Sequence, residues 1–299
     1  METNALRKWI PASLRPYLLH TRPRSWAIVA AHMSVGFLLA VHLQIDGERI
    51  VQWLLAVLAW AVLGNGGTLA INSAYDRDEG DIGYLENPPP VPRHLARFAV
   101  LWMLAGFAPA ALLGWRFLLA YLLCFLMSLA YSLPPLRCKA RAGLDLLINS
   151  VGYGALTIYA GWAAAARPLE APILNVVAAF GCFFIGFYPL TQIYQMEEDA
   201  RRGDKTLTLM LGKTPALWVG MLGVAGGFAF LTSEALQHIY RLPPLLLLIP
   251  AAAWLWVLLP WYLHRQRVSV RWEQRRFYHA LSAWALTDLA ALLVFAWRA

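Results

Sequence analysis

The sequence predicts an all-α integral membrane protein, a bundle of nine transmembrane helices. Three observations predict it: too little charge for a water-facing chain, nine long apolar runs, and a one-sided distribution of basic residues. The chain is 60% hydrophobic and 14% charged, with a mean hydropathy of +0.52. A soluble chain carries about 25% charged residues, so the solvent here is the bilayer. Length alone admits two domains, but a polytopic bundle of 299 residues reads as one unit. We therefore expect a basic arm over residues 1–24 and a single membrane domain over 25–299.

The nine apolar runs are Trp26–Leu43, Ile50–Ala74, Leu95–Gly114, Phe117–Leu133, Leu144–Ala166, Ala171–Tyr194, Pro215–Leu231, Pro244–Leu263 and Phe277–Phe295. Each is long enough, or nearly so, to cross about 30 Å of hydrocarbon. They are far longer than barrel strands and do not alternate, which excludes a β-barrel reading.

Numbering the loops alternately tests that count. One side receives Arg7, Lys8, Arg15, Arg22 and Arg24, then Arg77, Arg93 and Arg97, then Arg137, Lys139 and Arg141. It also receives Arg201, Arg202, Lys205 and Lys213, then Arg265, Arg267, Arg271, Arg275 and Arg276, making 20 of the 25 Lys and Arg. A missed helix would scramble this bias, which by the positive-inside rule puts the N-terminus and the long loops in the cytoplasm. The pI near 9.6 is thus a topology signal, and no motif points to nucleic acid. Cys124, Cys138 and Cys182 lack metal-ligand spacing and read as small core residues. Residues 1–24 are polar and basic, unlike a signal peptide.

The acidic residues are the functional signal. Asp76, Asp78, Glu79, Asp81 and Glu86 follow the second run, and Glu197, Glu198, Asp199 and Asp204 follow the sixth, together nine of only 17 acids. Both clusters lie on the basic side. One such cluster is ordinarily just solvated; two, in corresponding places of so acid-poor a chain, suggest a shared site. Asn72 and Asp76 are four apart, on one helical face, and Asp78 and Asp81 extend the acidic edge. Gln192, Gln195 and Asp199 fall at i, i+3 and i+7, a second expected face. Mg²⁺ takes oxygen ligands, commonly one or two carboxylates plus substrate phosphates. Two carboxylate clusters holding Mg²⁺ would make an acidic mouth into a diphosphate receptor, with Arg77, Arg93, Arg137, Lys139 and Lys205 as further donors.

These residues carry a resemblance to the UbiA superfamily of intramembrane prenyltransferases. Asn72 and Asp76 match the leading positions of its Asn-x-x-x-Asp-x-x-x-Asp motif. Tyr131-Ser-Leu-Pro-Pro-Leu-Arg137-Cys-Lys139 is similar to its Tyr-Ser-x-Pro-Pro-x-x-x-Lys stretch. The segment Gly143 to Gly154 has the familiar form, and Gly203, Thr206 and Leu207 match the close of the second Asp-rich motif. The resemblance covers roughly Pro23–Gly212 and marks a divergent member. Gly80 occupies the third motif position, Asn87-Pro-Pro-Pro-Val-Pro-Arg93 replaces the usual Arg-Pro context, and Gln192 and Gln195 stand where aspartates are frequent.

The resemblance implies Mg²⁺-dependent ionisation of an isoprenoid diphosphate and transfer of the prenyl group to a small acceptor, aromatic acceptors being commonest. Expected metal ligands are Asn72, Asp76, Asp78, Asp81, Glu197, Glu198 and Asp199, with Asp76, Asp199 and Tyr131 central to catalysis. An allyl cation needs aromatic faces. Tyr75, Tyr131, Tyr153 and Tyr194, with the intramembrane amides Asn65 and Asn149, are the cavity candidates because they sit in or beside the motifs. Asp288, in the ninth run, needs a partner in the bilayer. Two alternatives stay within the fold: intramolecular trapping of the cation, or a non-aromatic acceptor. A transporter would gather its acids at the midplane rather than at one face.

Overall fold

The computed structural model describes residues 11–76, 82, 83 and 85–296. Every expected run is helical. We label these helices α1 (Pro23–Ala40), α2 (Gly47–Asp76), α3 (Leu95–Leu112), α4 (Trp115–Ser132) and α5 (144–164). The rest are α6 (Ala171–Ile193), α7 (Lys213–Gln237), α8 (Pro244–His264) and α9 (Val270–Phe295). Seven of the nine are long and apolar enough to cross a membrane; α1 and α5 are not among the seven. Both carry polar groups, Ser25, His32 and Ser34 in α1 and Asp145, Asn149 and Thr157 in α5, and both are largely buried within the bundle. A helix shielded from lipid need not be apolar all round. The only β-pairing among the described residues is two isolated bridges.

Close approach between helices depends on glycine. A Cβ on Gly36 of α1 would lie 1.9 Å from the Ile158 carbonyl oxygen of α5, and one on Gly161 of α5 would lie 1.9 Å from the Met33 carbonyl oxygen. The two helices therefore meet backbone to backbone through reciprocal gaps. In lipid there is no hydrophobic drive between helices, so such packing supplies much of the association energy.

Two other features shape the interior. The helices α2 and α5 each contain a π-helical stretch, Val57–Asn65 and Ser150–Leu156. The wider turns free carbonyls, and side chains take them up: Thr68 Oγ1 donates to Gly64 O at 2.9 Å and Thr157 Oγ1 to Gly152 O at 2.9 Å. Such bulges recur at functional sites, and here both flank one cavity. In α6, Pro189 cannot donate to the helical ladder. Thr191 Oγ1 donates to the Tyr188 carbonyl there at 2.7 Å.

Asp288 finds a histidine. His32 Nδ1 lies 2.8 Å from Asp288 Oδ1, and its other nitrogen lies 3.4 Å from the Gly154 carbonyl oxygen. One polar cluster thus ties α1, α5 and α9 inside an aromatic shell of Phe180 and Trp284. In the described part of the expected N-terminal arm a short helix spans Arg15–His20, His20 Nε2 contacts Pro89 O at 3.1 Å, and Thr21 and Arg22 are buried.

Candidate active site at one end of the bundle

The site is organised by the segment between α4 and α5. After Ser132 the chain turns through Arg137, whose backbone is left-handed at φ 34°, into a single 3₁₀ turn, Cys138–Ala140. That turn buries Lys139. Its Nζ donates to Asn72 Oδ1 at 3.0 Å and pairs with the Asp76 carboxylate. Asn72 and Asp76 end α2 one turn apart, so one ammonium reads both. Arg22, buried beside them, donates to Ser73 Oγ at 3.1 Å.

The same segment holds the second acidic region. Arg137 Nη2 pairs with Asp204 Oδ1 at 3.1 Å, and Lys205 N donates to Ala140 O at 3.3 Å, forming a parallel bridge between Arg141 and Lys205. Asp145, fully buried at the start of α5, completes the joint. It accepts from Gly143 N at 2.8 Å, Gln192 Nε2 at 2.7 Å and Leu207 N at 3.1 Å. Gln192 Oε1 in turn accepts from Thr208 N at 3.3 Å. Gly203 ends the helix Met196–Arg202 with φ 73°, a conformation glycine adopts without Cβ strain. Thr206 caps the helix Leu207–Leu211 by accepting from Leu209 N.

The structure corrects one expected face. Gln192, Gln195 and Asp199 do not share one helix: α6 ends at Ile193, Gln195 is the N-cap of the next helix, and only Asp199 lies within it. Gln192 is buried and committed to Asp145 and Thr208. Asp199 is buried, Glu197 exposed and Glu198 half-buried. Asp199 and Asp145 are both near enough to Tyr131 to act on it electrostatically.

From this mouth a cavity of about 130 Å³ runs into the bundle between α1, α2, α4 and α5. Trp60, Asn65, Asn72, Tyr131, Asn149 and Tyr153 are among its lining residues, and none of the described lining residues is charged. Tyr131 and Tyr188 share a hydroxyl–hydroxyl bond of 2.9 Å. Tyr153 donates to Asn65 Oδ1 at 3.0 Å, and Asn65 Nδ2 donates to Ser25 Oγ at 3.0 Å. Asn149 Nδ2 donates to the Asp145 carbonyl at 2.8 Å, coupling cavity wall to mouth.

Other expected residues stand apart. Tyr75 is exposed and does not line the cavity; Tyr194 packs its ring 5.5 Å from Phe277; Arg93 is exposed at the approach to α3 and makes none of the contacts above. Arg77, Asp78 and Asp81 lie outside the described residues. Among the described residues no three Asp, Glu, His or Cys side chains gather into a cluster. Asn72 and Asp76, gathered by Lys139, carry oxygen donors of the hard type that suits Mg²⁺. Sequence reasoning passed over Arg22, Trp60 and Asp145. The signal for Asp145 was available, an acid opening an otherwise apolar run.

Comparison with known proteins supplies the family and the fold. Residues 29–282 match the model of the UbiA prenyltransferase family. The chain is 28% identical over 211 residues to a lycopene elongase/hydratase of Halobacterium salinarum, covering 66% of this chain and 71% of that protein. It is also 28% identical over 222 residues to a digeranylgeranylglyceryl phosphate synthase of Thermococcus gammatolerans, covering 71% and 75%. Among solved structures, a UbiA homolog from Archaeoglobus fulgidus bound to DMAPP and Mg²⁺ shares the fold, with a TM-score of 0.66 at 21% identity over 92% of this chain and 98% of that one. A digeranylgeranylglyceryl phosphate synthase structure shares it with a TM-score of 0.70 at 14% identity, over 96% and 99%. The chain is a multi-pass membrane protein and belongs to the UbiA prenyltransferase family.

Proposed function

We propose that this prenyltransferase binds an allylic isoprenoid diphosphate with Mg²⁺ at the Lys139 mouth, facing the cytoplasm, and passes the prenyl group to a lipid-like acceptor. The observation that carries the reading is the placement of Lys139, which touches Asn72 and Asp76 while its own segment is clipped to the second acidic region. Cations and carboxylates thus meet at one end of the bundle, next to the Asn72 edge of the cavity, as a metal–diphosphate pair requires. Asn72, Asp76 and Asp199 would hold the metal, with Asp78, Asp81, Glu197 and Glu198 completing the set; bound there, Mg²⁺ stabilises charge on a departing diphosphate.

The chain's own groups account for the rest. Lys139 and Arg137 give charge-assisted hydrogen bonds to diphosphate oxygens, with Arg77 next to Asp76 and Lys205 next to Asp204 in the sequence as further donors. The C1–O bond breaks with its electron pair leaving on the diphosphate. The allyl cation is then enclosed by Trp60, Tyr131 and Tyr153, whose ring faces attract positive charge. An electron-rich carbon or oxygen of the acceptor attacks C1 and then loses a proton, which the released diphosphate can take up, and the cavity keeps water away.

The family resemblance implies an aromatic acceptor. Two observations favour a lipid-like one instead. No described cavity-lining residue is cationic, so nothing there would pair with an aromatic carboxylate. The relatives are named for lycopene elongation and digeranylgeranylglyceryl phosphate synthesis. To test the reading, purified protein with Mg²⁺ and allylic diphosphates of several lengths is offered hydroxybenzoate-type, polyene and glycerolipid acceptors. We expect Mg²⁺-dependent release of diphosphate, abolished by chelation, with product formed on the polyene or glycerolipid acceptors. Turnover unaffected by chelation would overturn the metal assignment, and product on the carboxylated aromatic alone would overturn the acceptor.

A further inference from the structure

The other end of the bundle holds a second cleft, apart from the site proposed for prenyl transfer. It is larger than the active-site cavity, about 390 Å³, within the roughly 300–1,000 Å³ of small-molecule sites. It lies between the far ends of α1, α7 and α9 and the start of α6. Its polar lining includes Arg167, Glu170, Glu234, Tyr240 and Arg241, over apolar walls such as Trp162 and Ile173.

The charged groups are set in place. Glu234 is buried and accepts from Asn175 Nδ2 at 2.8 Å and from the Tyr240 hydroxyl, and pairs with His238 Nδ1 at 2.9 Å. Arg167 pairs with Glu170 at 3.1 Å, lies over the Trp162 ring at 5.7 Å, and keeps a buried Nε with no hydrogen-bond acceptor. Around the rim His42, Leu43 and Ala166 have left-handed backbones, φ 50°, 59° and 58°. Each costs about 1–3 kcal/mol, and such residues gather at ligand clamps. Trp162 Nε1 to Pro168 O, 2.8 Å, and His42 Nδ1 to Ala296 O, 3.2 Å, hold these turns.

The chemistry of the occupant follows from charge and surroundings. A plain anion would meet two carboxylates, and a plain amine two guanidiniums. A headgroup with a phosphate and an ammonium satisfies both. Exposed Leu169, Leu174, Leu236 and Ile239 flank the cleft in the chain, a surface for acyl tails. We propose that this cleft binds the zwitterionic headgroup of an ethanolamine-type phospholipid, its phosphate on Arg167 and Arg241 and its ammonium toward Glu170.

Native mass spectrometry of the full-length detergent-solubilised protein tests this, titrated separately with phosphatidylethanolamine, phosphatidylcholine, phosphatidylglycerol and glycerophosphoethanolamine. We expect one retained phosphatidylethanolamine, bound about tenfold tighter than the other two lipids, since one charge-assisted contact is at stake. The R167Q/R241Q protein should lose that retention. Should it fail to fold, Glu170→Gln alone should erase the preference for ethanolamine over choline. Equal binding of all three lipids, or undiminished binding by a folded double variant, would overturn the site. Glycerophosphoethanolamine binding as tightly as the lipid would overturn its assignment to a membrane lipid.

Discussion

Asp145 Oδ2 accepts a 2.7 Å hydrogen bond from Gln192 Nε2, joining the start of α5 to the end of α6 in a buried setting. This contact gives a physical reason for glutamine at a position where aspartate is frequent in the family. A carboxylate at 192 would face a second carboxylate with no water to screen them, whereas an amide offers a donor to Asp145 and an acceptor to Thr208 N.

Gln192→Glu should therefore destabilise the protein by about 3 kcal/mol or more, the scale of an uncompensated buried charge. Thermal melts in detergent would register it as a lowered Tm. Asp145→Asn in the same chain should recover most of the loss, because the amide then faces a single carboxylate. A melt unchanged by Gln192→Glu would contradict the buried contact.

Lys139→Met removes the one ammonium that reads both Asn72 and Asp76 and leaves the Asp76 carboxylate without its partner. We expect kcat/KM for prenyl transfer to fall about 100-fold, a size common for loss of one charge-stabilising donor, with helical circular dichroism retained. Arg137→Gln should fall less, because Arg137 is more exposed, its side chain at 36% against 7% for Lys139.

Asp288→Leu would strand His32 between α1, α5 and α9. Polar contacts within membranes are worth about 0.6–2 kcal/mol, so a Tm shift of a few degrees is expected. Asp288→Asn, which retains a hydrogen-bond partner for Nδ1, should shift it less. The two melts, run side by side, separate hydrogen bonding from packing.

Gly161→Val would drive a side chain into the Met33 carbonyl of α1, a backbone atom that cannot rotate away. The expected result is loss of monodisperse protein by size-exclusion chromatography. Gly152→Ala, whose added methyl meets only the Met127 methyl at 3.7 Å, should be tolerated.

Much of this molecule is read directly from its residues. Apolar length sets where helices can lie, because hydrocarbon leaves backbone groups no partner but each other. All nine expected runs are helices, though the polar content of α1 and α5 makes sense only once they are seen inside the bundle. The acid clusters could be seen because acids are scarce, and Lys139 was a named candidate because its motif could be quoted.

Partnership was not legible. That Lys139 reaches Asn72, 67 positions earlier, is a fact of chain crossing and not of spacing. The break after Ile193 divides a face that helical periodicity had made continuous, since periodicity assumes a helix that never ends. Arg22 and Asp145, one in the basic arm and one opening an apolar run, acquire meaning from what surrounds them. Sequence by itself determined the solvent, the class and the location of charge along the chain, for these follow from composition and local order. Only tertiary structure decided which charges meet, which are buried and which opening they face, because those depend on contacts between segments that local sequence does not encode.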